Sequence, residues 1–413
     1  MTAEQSPAFV ERNAFVKLTL AVVCGDEHWT VRIENGQVST ARGRSLDAEL
    51  TFSASGQDWA KYAQAEPPRG FTAIAAMQRS GVLTVEGDML HFHRHQFSIE
   101  EMFRAMRPDA PKAPPSAAPA GPWVEALVGR YLNLALRGRA HRIYYEEAGA
   151  GIPLLCLHTA GSDSRQYRAL LNDEEITRDF RVIAFDMPRH GKSSPPEGYE
   201  REVYRLTTDA YLDMILTVAD ALNLDRPAVI GCSIGGRAVL QLGIRHRDRF
   251  RAGIGLQSAP DANPGQANSF RSLNVGHRPD VNAGEASAAR VAPLIAPGAP
   301  RRDAWETLWH YMQAGPGIFD GDTEYYFDTG TMTDADIKEL RQSGFPLYFL
   351  TGDYDLGVAP DKTRELAEIV GARSFQTMTG LGHFPMSEDP ERFKTYLKPI
   401  LNEILRQSES ELI

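Results

Sequence analysis

The sequence predicts an α/β architecture: a mostly parallel central sheet, preceded by a small α+β domain. Three observations lead there. Short apolar runs at residues 154–157, 181–185, 252–256 and 346–351 each lead into a loop bearing glycine or aspartate, the pattern of buried strands feeding a layered α/β fold. A Gly-x-Ser-x-Gly pattern spans residues 231–235, directly behind another apolar run. A stretch rich in proline and alanine, residues 108–122, divides the chain into residues 12–107 and 123–413.

Taken in order, residues 12–107 read as a compact α+β unit. Trp29-Thr30-Val31-Arg32-Ile33-Glu34 alternates polar and apolar, and Asn35-Gly36 supplies a tight hairpin turn. Glu49-Leu50-Thr51-Phe52-Ser53-Ala54 alternates again. Helices are predicted around residues 58–64 and 70–79, then a strand at 81–86 that closes at Gly87-Asp88, then a helix from Phe97 to Met106. This order resembles the sterol-carrier-protein fold, through Ala48-Glu49-Leu50-Thr51-Phe52, the glycine-led strand ending in Glu86-Gly87-Asp88, and the following helix. The resemblance implies an apolar tunnel for an acyl or sterol ligand. The plainer reading is a domain that packs against its neighbour or against a second copy of the chain, as in a homodimer. His91, His93 and His95 would share one face if extended. No Cys or Glu ligand set converges on them, so no metal is expected. Residues 108–122 read as an extended spacer between two independently folded parts.

In Val229-Ile230-Gly231-Cys232-Ser233-Ile234-Gly235-Gly236 a strand is expected to turn sharply into a helix, with Ser233 at the apex. The glycines at 231 and 235 leave room where strand and helix crowd together. The helix N-terminus favours negative charge developing nearby. A serine hydroxyl is a weak nucleophile by itself and needs a positioned base, which needs an orienting acid. Behind such an elbow the partners follow in the order serine, acid, histidine. Of His246, His277, His310 and His383, only His383 follows a strand, in Phe375-Gln376-Thr377-Met378-Thr379-Gly380-Leu381-Gly382-His383-Phe384-Pro385. The acid is sought after Pro346-Leu347-Tyr348-Phe349-Leu350-Thr351, in Gly352-Asp353-Tyr354-Asp355.

With these residues the chain resembles the α/β-hydrolase superfamily over about residues 130–405. Residues Asp186-Met187-Pro188-Arg189-His190-Gly191-Lys192-Ser193 look like its strand-4 loop, with Arg189 where glycine is usual. Leu154-Leu155-Cys156-Leu157-His158-Thr159-Ala160-Gly161 resembles its strand-3 loop, with Thr159 at another customary glycine. The resemblance selects Asp355 over Asp353 and leaves Asp261 as an alternative acid, because some relatives place it there. It also implies the amides of Ala160 and Ile234 as the oxyanion hole. His158, His190 and Asp186 are expected to pack and hold loops, and Cys232 to be a small buried residue.

Residues 261–343 are too long for an ordinary connection and correspond to the cap that covers the site in this superfamily. A helix is predicted at 303–314. Of the aromatic residues there, Trp305, Trp309 and Tyr311 are the candidates for binding substrate.

Composition narrows the function classes. A formal net charge of −10 argues against nucleic acid. Cys24, Cys156 and Cys232 cannot build a disulfide framework, which suits a reducing cytoplasm. No apolar stretch is long enough to span a membrane, and the run from Leu18 to Cys24 lacks the basic start of a signal peptide. The expectation is a cytoplasmic serine hydrolase, without cofactor, acting on a small or medium carboxylic ester, thioester or lactone. Hydrolysis of a carbon–carbon bond in a diketone-type substrate is the alternative within enzymes. A non-catalytic lipid-binding carrier is the alternative outside them.

Overall fold

A computed structural model describes residues 6–107, 121–260 and 268–410. The spacer at 108–122 lies almost wholly outside the described residues. A short helix α1 (Pro7–Arg12) opens the small module, capped by Ser6, whose hydroxyl accepts from the Phe9 amide. Five strands follow: β1 (Lys17–Cys24), β2 (Glu27–Glu34), β3 (Gln37–Arg42), β4 (Leu50–Ala54) and β5 (Thr84–Gly87), in the spatial order β3-β2-β1-β4-β5. Asn35 and Gly36, both with positive φ, make the hairpin between β2 and β3. β1 and β4 pair in parallel; the other pairings are antiparallel.

Helices α2 (Gly56–Tyr62), α3 (Ile74–Arg79) and α4 (Met89–Ala105) cover this sheet. The module's interior is filled by Leu18, Leu20, Ile33, Leu50, Phe52, Phe92 and Phe103. Phe52 and Phe103 lie 5.5 Å apart between ring centroids, and Phe103 stacks on Trp59 at 5.7 Å.

The expectation for the histidine-rich stretch is corrected. Helix α4 starts at Met89 rather than near Phe97, because the Asp88 carboxylate caps it by accepting from the amides of Leu90 and His91. His91, His93 and His95 are therefore helical and do not share one face. His91 and His95 neighbour each other at 5.8 Å, whereas His93 turns inward against Phe270 at 5.4 Å. Among the described residues no group of three His, Cys, Asp or Glu gathers to hold a metal.

The larger sheet has eight strands: β6 (Val128–Leu136), β7 (Arg139–Ala148), β8 (Ile152–Leu157), β9 (Phe180–Phe185), β10 (Ala228–Cys232), β11 (Ala252–Leu256), β12 (Leu347–Gly352) and β13 (Ser374–Met378). Their order is β13-β12-β11-β10-β8-β9-β7-β6, parallel from β13 to β9 and antiparallel at β7 and β6. Alternation along each strand feeds two cores. Leu155, Leu157, Ile183 and Val229 face the helices Thr208–Ala221 and Ile234–Arg245, while Leu154, Cys156, Ile230 and Cys232 face the C-terminal helix Pro390–Ser410. No described helix is long and apolar enough to cross a membrane.

The cap lies between β11 and β12 and includes helices Ala283–Val291, Arg301–Met312, Ile318–Phe327 and Asp334–Ser343. The small module does not stand apart from it. Phe97 of α4 is buried in one cluster with Ala289, Leu294 and Tyr311 of the cap and with Phe384. Arg12 bonds Glu285 at 3.1 Å and Thr72 bonds the Pro293 carbonyl at 3.1 Å. The small module keeps a core of its own, and Phe97 and these bonds join it to the cap.

Burial drives the His93 imidazole down to about 4, with the nearby Arg290 charge adding to the fall. A base depressed on folding contributes stability that is full above its ordinary pKa and lost as pH falls through the window from about 6.5 to 4. Urea unfolding across that window should show stability falling with acid. In His93→Phe the slope should shrink by one proton, about 1.4 kcal/mol per pH unit.

Candidate active site

β10 passes directly into the helix Ile234–Arg245, and Ser233 at the junction adopts φ 57° and ψ −113°. That conformation is costly for a residue with a side chain and persists because the surroundings force it. A Cβ on Gly231 would lie 2.4 Å from the Gly235 carbonyl carbon, and one on Gly235 would lie 2.7 Å from the Leu157 oxygen. Only glycine permits the strand and helix to come this close. The Ser233 amide is pinned to the Leu256 carbonyl at 3.1 Å, which leaves its side chain facing a cavity.

His383 lies in the loop after β13 and lines the same cavity. Its Nδ1 is 2.8 Å from Asp355 Oδ1, and its amide donates to the Leu294 carbonyl of the cap at 2.9 Å. Asp355 follows β12 and is fully buried; the same Oδ1 accepts from the Gly357 amide at 2.6 Å. Asp353 points elsewhere, accepting from the Gly380 amide at 2.8 Å, and so ties β12 to the histidine loop. Asp261 lies outside the described residues.

The loop after β8 presents one free amide. Thr159 N–H donates to Gln166 Oε1 at 3.0 Å and Gly161 N–H to Asp322 Oδ2 at 2.7 Å. Between them the Ala160 amide has no partner among the described residues, nor has the Ile234 amide at the helix start. Both residues line the cavity. Thr159, in the place of a customary glycine, uses its hydroxyl to meet the Tyr311 hydroxyl at 2.5 Å. Arg189, at the other such place, takes φ 73° and is held by Glu202 at 2.9 Å.

Buried carboxylates that sequence reasoning did not single out fix these loops. Asp322 of the cap accepts from the Gly161 amide, from His190 Nε2 at 2.8 Å and from the Tyr204 hydroxyl at 2.7 Å. Burial opposes charge on both partners, yet Asp322 is held low and His190 high by their pairing. Glu388 accepts from the amides of Gly382, Phe384 and Ala296, gripping the loop on both sides of His383. Burial pushes this carboxyl up to about 8. A single acidic residue at the end of the short helix Pro385–Glu388 carries no sequence signal for such a role.

His158 stays neutral, driven to about 4 by burial and by His190; its Nε2 accepts from the Met187 amide at 3.2 Å. Asp186 accepts from the amides of Ser164 at 2.8 Å and Lys192 at 2.7 Å. Cys232 is buried, with its thiol against the His383 carbonyl at 3.1 Å.

The cavity brings Tyr311 to Ser233 and His383 but not the two tryptophans. The helix Arg301–Met312 turns Leu308 and Tyr311 inward, whereas Trp305 and Trp309 are 39% and 53% exposed, one turn apart on its outer side. Arg79, Arg290 and Phe319 complete the wall.

Replacing Asp322 by alanine would leave three buried donors unpaired, the His190 ring among them. Urea unfolding of Asp322→Ala should show a loss of about 3–5 kcal/mol.

A model of the family described as alpha/beta hydrolase fold matches residues 152–296. The 2-hydroxymuconate semialdehyde hydrolase of Pseudomonas sp. (strain CF600) is 25% identical over 280 residues, 63% of this chain and 91% of that protein. Among solved structures, a carboxylesterase of the thaumarchaeon Nitrososphaera gargenis superposes with a TM-score of 0.55 at 19% identity, covering 67% of this chain and all of that one. The enol-lactonase from Burkholderia xenovorans LB400 gives a TM-score of 0.55 at 18% identity, over 66% of this chain and 100% of its own. With the strand order and the elbow at Ser233, these likenesses show an alpha/beta hydrolase fold in the larger domain.

Proposed function

We propose that the chain is a serine hydrolase with Ser233 as nucleophile, His383 as base and Asp355 as the orienting acid. The observation that carries this reading is the 2.8 Å bond between His383 Nδ1 and Asp355 Oδ1, which leaves Nε2 as the imidazole nitrogen available to a serine held in the same cavity. Ser233 Oγ attacks the substrate carbonyl as Nε2 takes its proton. The buried Asp355 carboxylate fixes the ring and stabilises the imidazolium. The amides of Ala160 and Ile234, both without other partners among the described residues, receive the oxyanion. The imidazolium then protonates the leaving group, and the neutral ring activates water to release the acid and restore Ser233.

Of the substrates compatible with these groups, a small or medium ester, thioester or lactone fits the carboxylesterase and enol-lactonase likenesses. Hydrolysis of a carbon–carbon bond in a diketone-type substrate is the second reading, favoured by the relative named for 2-hydroxymuconate semialdehyde. The same serine, base and oxyanion donors serve both. The carrier reading of the small module has less support, since Phe52, Phe92 and Phe103 occupy its interior.

A fluorophosphonate probe should label Ser233 in the native protein and fail to label Ser233→Ala or His383→Ala. Asp355→Asn, which keeps the shape but donates where the carboxylate accepts, should cut kcat by about 10⁴ on whichever of an ester or diketone panel is turned over. Labelling that survives in Ser233→Ala would overturn the assignment.

A further inference from the structure

One wall of the cavity comes from outside the hydrolase-fold domain. Arg79, the last residue of α3, lines it from the small module, beside Arg290 of the cap helix Ala283–Val291. Arg79 Nη2 donates to the Arg290 backbone carbonyl at 2.9 Å, which brings its guanidinium to the cap helix whose Arg290 lines the same cavity. Among the described residues no carboxylate lies within salt-bridge distance of Arg79, and the acid beside Arg290 is Asp320 at 3.5 Å. The Arg290 guanidinium lies over the rings of Phe270 and Phe319, 4.7 and 4.9 Å from their centroids.

The placement of Arg79 is reinforced on each side. Glu100 of α4 accepts from the amides of Ile74 and Ala75 at 2.9 and 2.7 Å, anchoring the start of α3. Arg69 donates twice to the carbonyl of Asp355, at 2.9 and 2.6 Å, so the module also grips the acid's loop. Burial and the neighbouring Arg290 bring Arg79 down to about 10, still charged at neutral pH. Two like charges lining one cavity, Arg79 with no carboxylate partner among the described residues and Arg290 with Asp320 alone, are stabilised by an anion that reaches both. The remaining wall near them is apolar, with Val291, Leu294 and Phe319. A planar carboxylate matches a guanidinium fork and leaves no further charged oxygen against these side chains.

We propose that the small module is a working part of the active site, and that Arg79 and Arg290 together bind a carboxylate carried by the substrate in addition to the bond that is broken. The proposal rests on the serine-hydrolase reading. It gives the N-terminal module a purpose in choosing the substrate, and it makes the cavity incomplete without residues 69–79.

The test uses the full chain and a matched pair of esters, mono-4-nitrophenyl glutarate and its methyl ester, which differ only in the distant carboxylate. The native protein should favour the free acid in kcat/KM. In Arg79→Gln that preference should fall at least tenfold, chiefly through KM, and Arg79→Lys should recover part of it. A preference unchanged in Arg79→Gln, with both esters slowed alike, is the result of a mere tether to the Arg290 carbonyl and overturns the proposal. Calorimetry with glutarate and with glutaramide, which carries no ester bond, gives a readout independent of ester turnover and of whether Arg79→Gln folds. Tighter binding of glutarate to the native protein supports the subsite, and equal binding of the two overturns it. Labelling of Ser233 by the fluorophosphonate separates the two levels: a labelled protein indifferent to the carboxylate sinks only the subsite, whereas an unlabelled one that still prefers glutarate sinks only the serine-hydrolase reading.

Discussion

The crowding of β10 against the helix that follows it is the constraint on which the rest of the site depends. Ser233 cannot relax from φ 57° while Gly231 touches Gly235 and Gly235 touches Leu157. The strain lifts one side chain out of a fully buried strand and aims it at the cavity. It also leaves the Ile234 amide facing the same space, because the first amides of a helix have no partner within it. The proposed nucleophile and one of the proposed oxyanion donors thus come from one backbone feature.

Loops cannot hold such a geometry by themselves, and here carboxyl side chains do it. Asp322 joins the cap to the loop after β8 and to the loop of His190. Glu388 and the Leu294 carbonyl grip the segment around His383. Asp353 joins that segment to β12. Apart from the His190 Nε2 bond to Asp322, these ties use backbone amides as donors, so they depend on the course of the chain more than on the partner's side chain. The cap is consequently bound into the site as well as lying over it.

The small module extends this. Its core is its own, but Phe97 enters the cap's cluster and Arg69 reaches the carbonyl of Asp355. A sheet with an aromatic interior, docked by arginines onto a cap and an acid loop, fits a positioning role better than a detached lipid carrier. The aromatic contacts leave its helix α4 two tasks: it covers the small sheet with Phe92 and Phe103, and meets the cap with Phe97.

What the sequence determined by itself was what depends on local chain chemistry. Apolar runs with glycine-bearing exits located the strands, Gly231 and Gly235 located the elbow, and chain order pointed to His383. Choosing Asp355 over Asp353 drew on resemblance, since two aspartates two residues apart look alike until their side chains are seen to diverge. The start of α4 is hidden in the sequence because Gly87-Asp88 serves both as a strand end and as a helix cap, and the polar residues after it mask the helical period. Tertiary structure alone decided which cap aromatics face inward: Trp305, Trp309 and Tyr311 sit on one helix, and only its packing turns Tyr311 to the cavity. It alone brought Arg79 beside Arg290 and Glu388 behind His383. These meetings join residues far apart in the chain, and no local propensity records where two separately formed surfaces will touch.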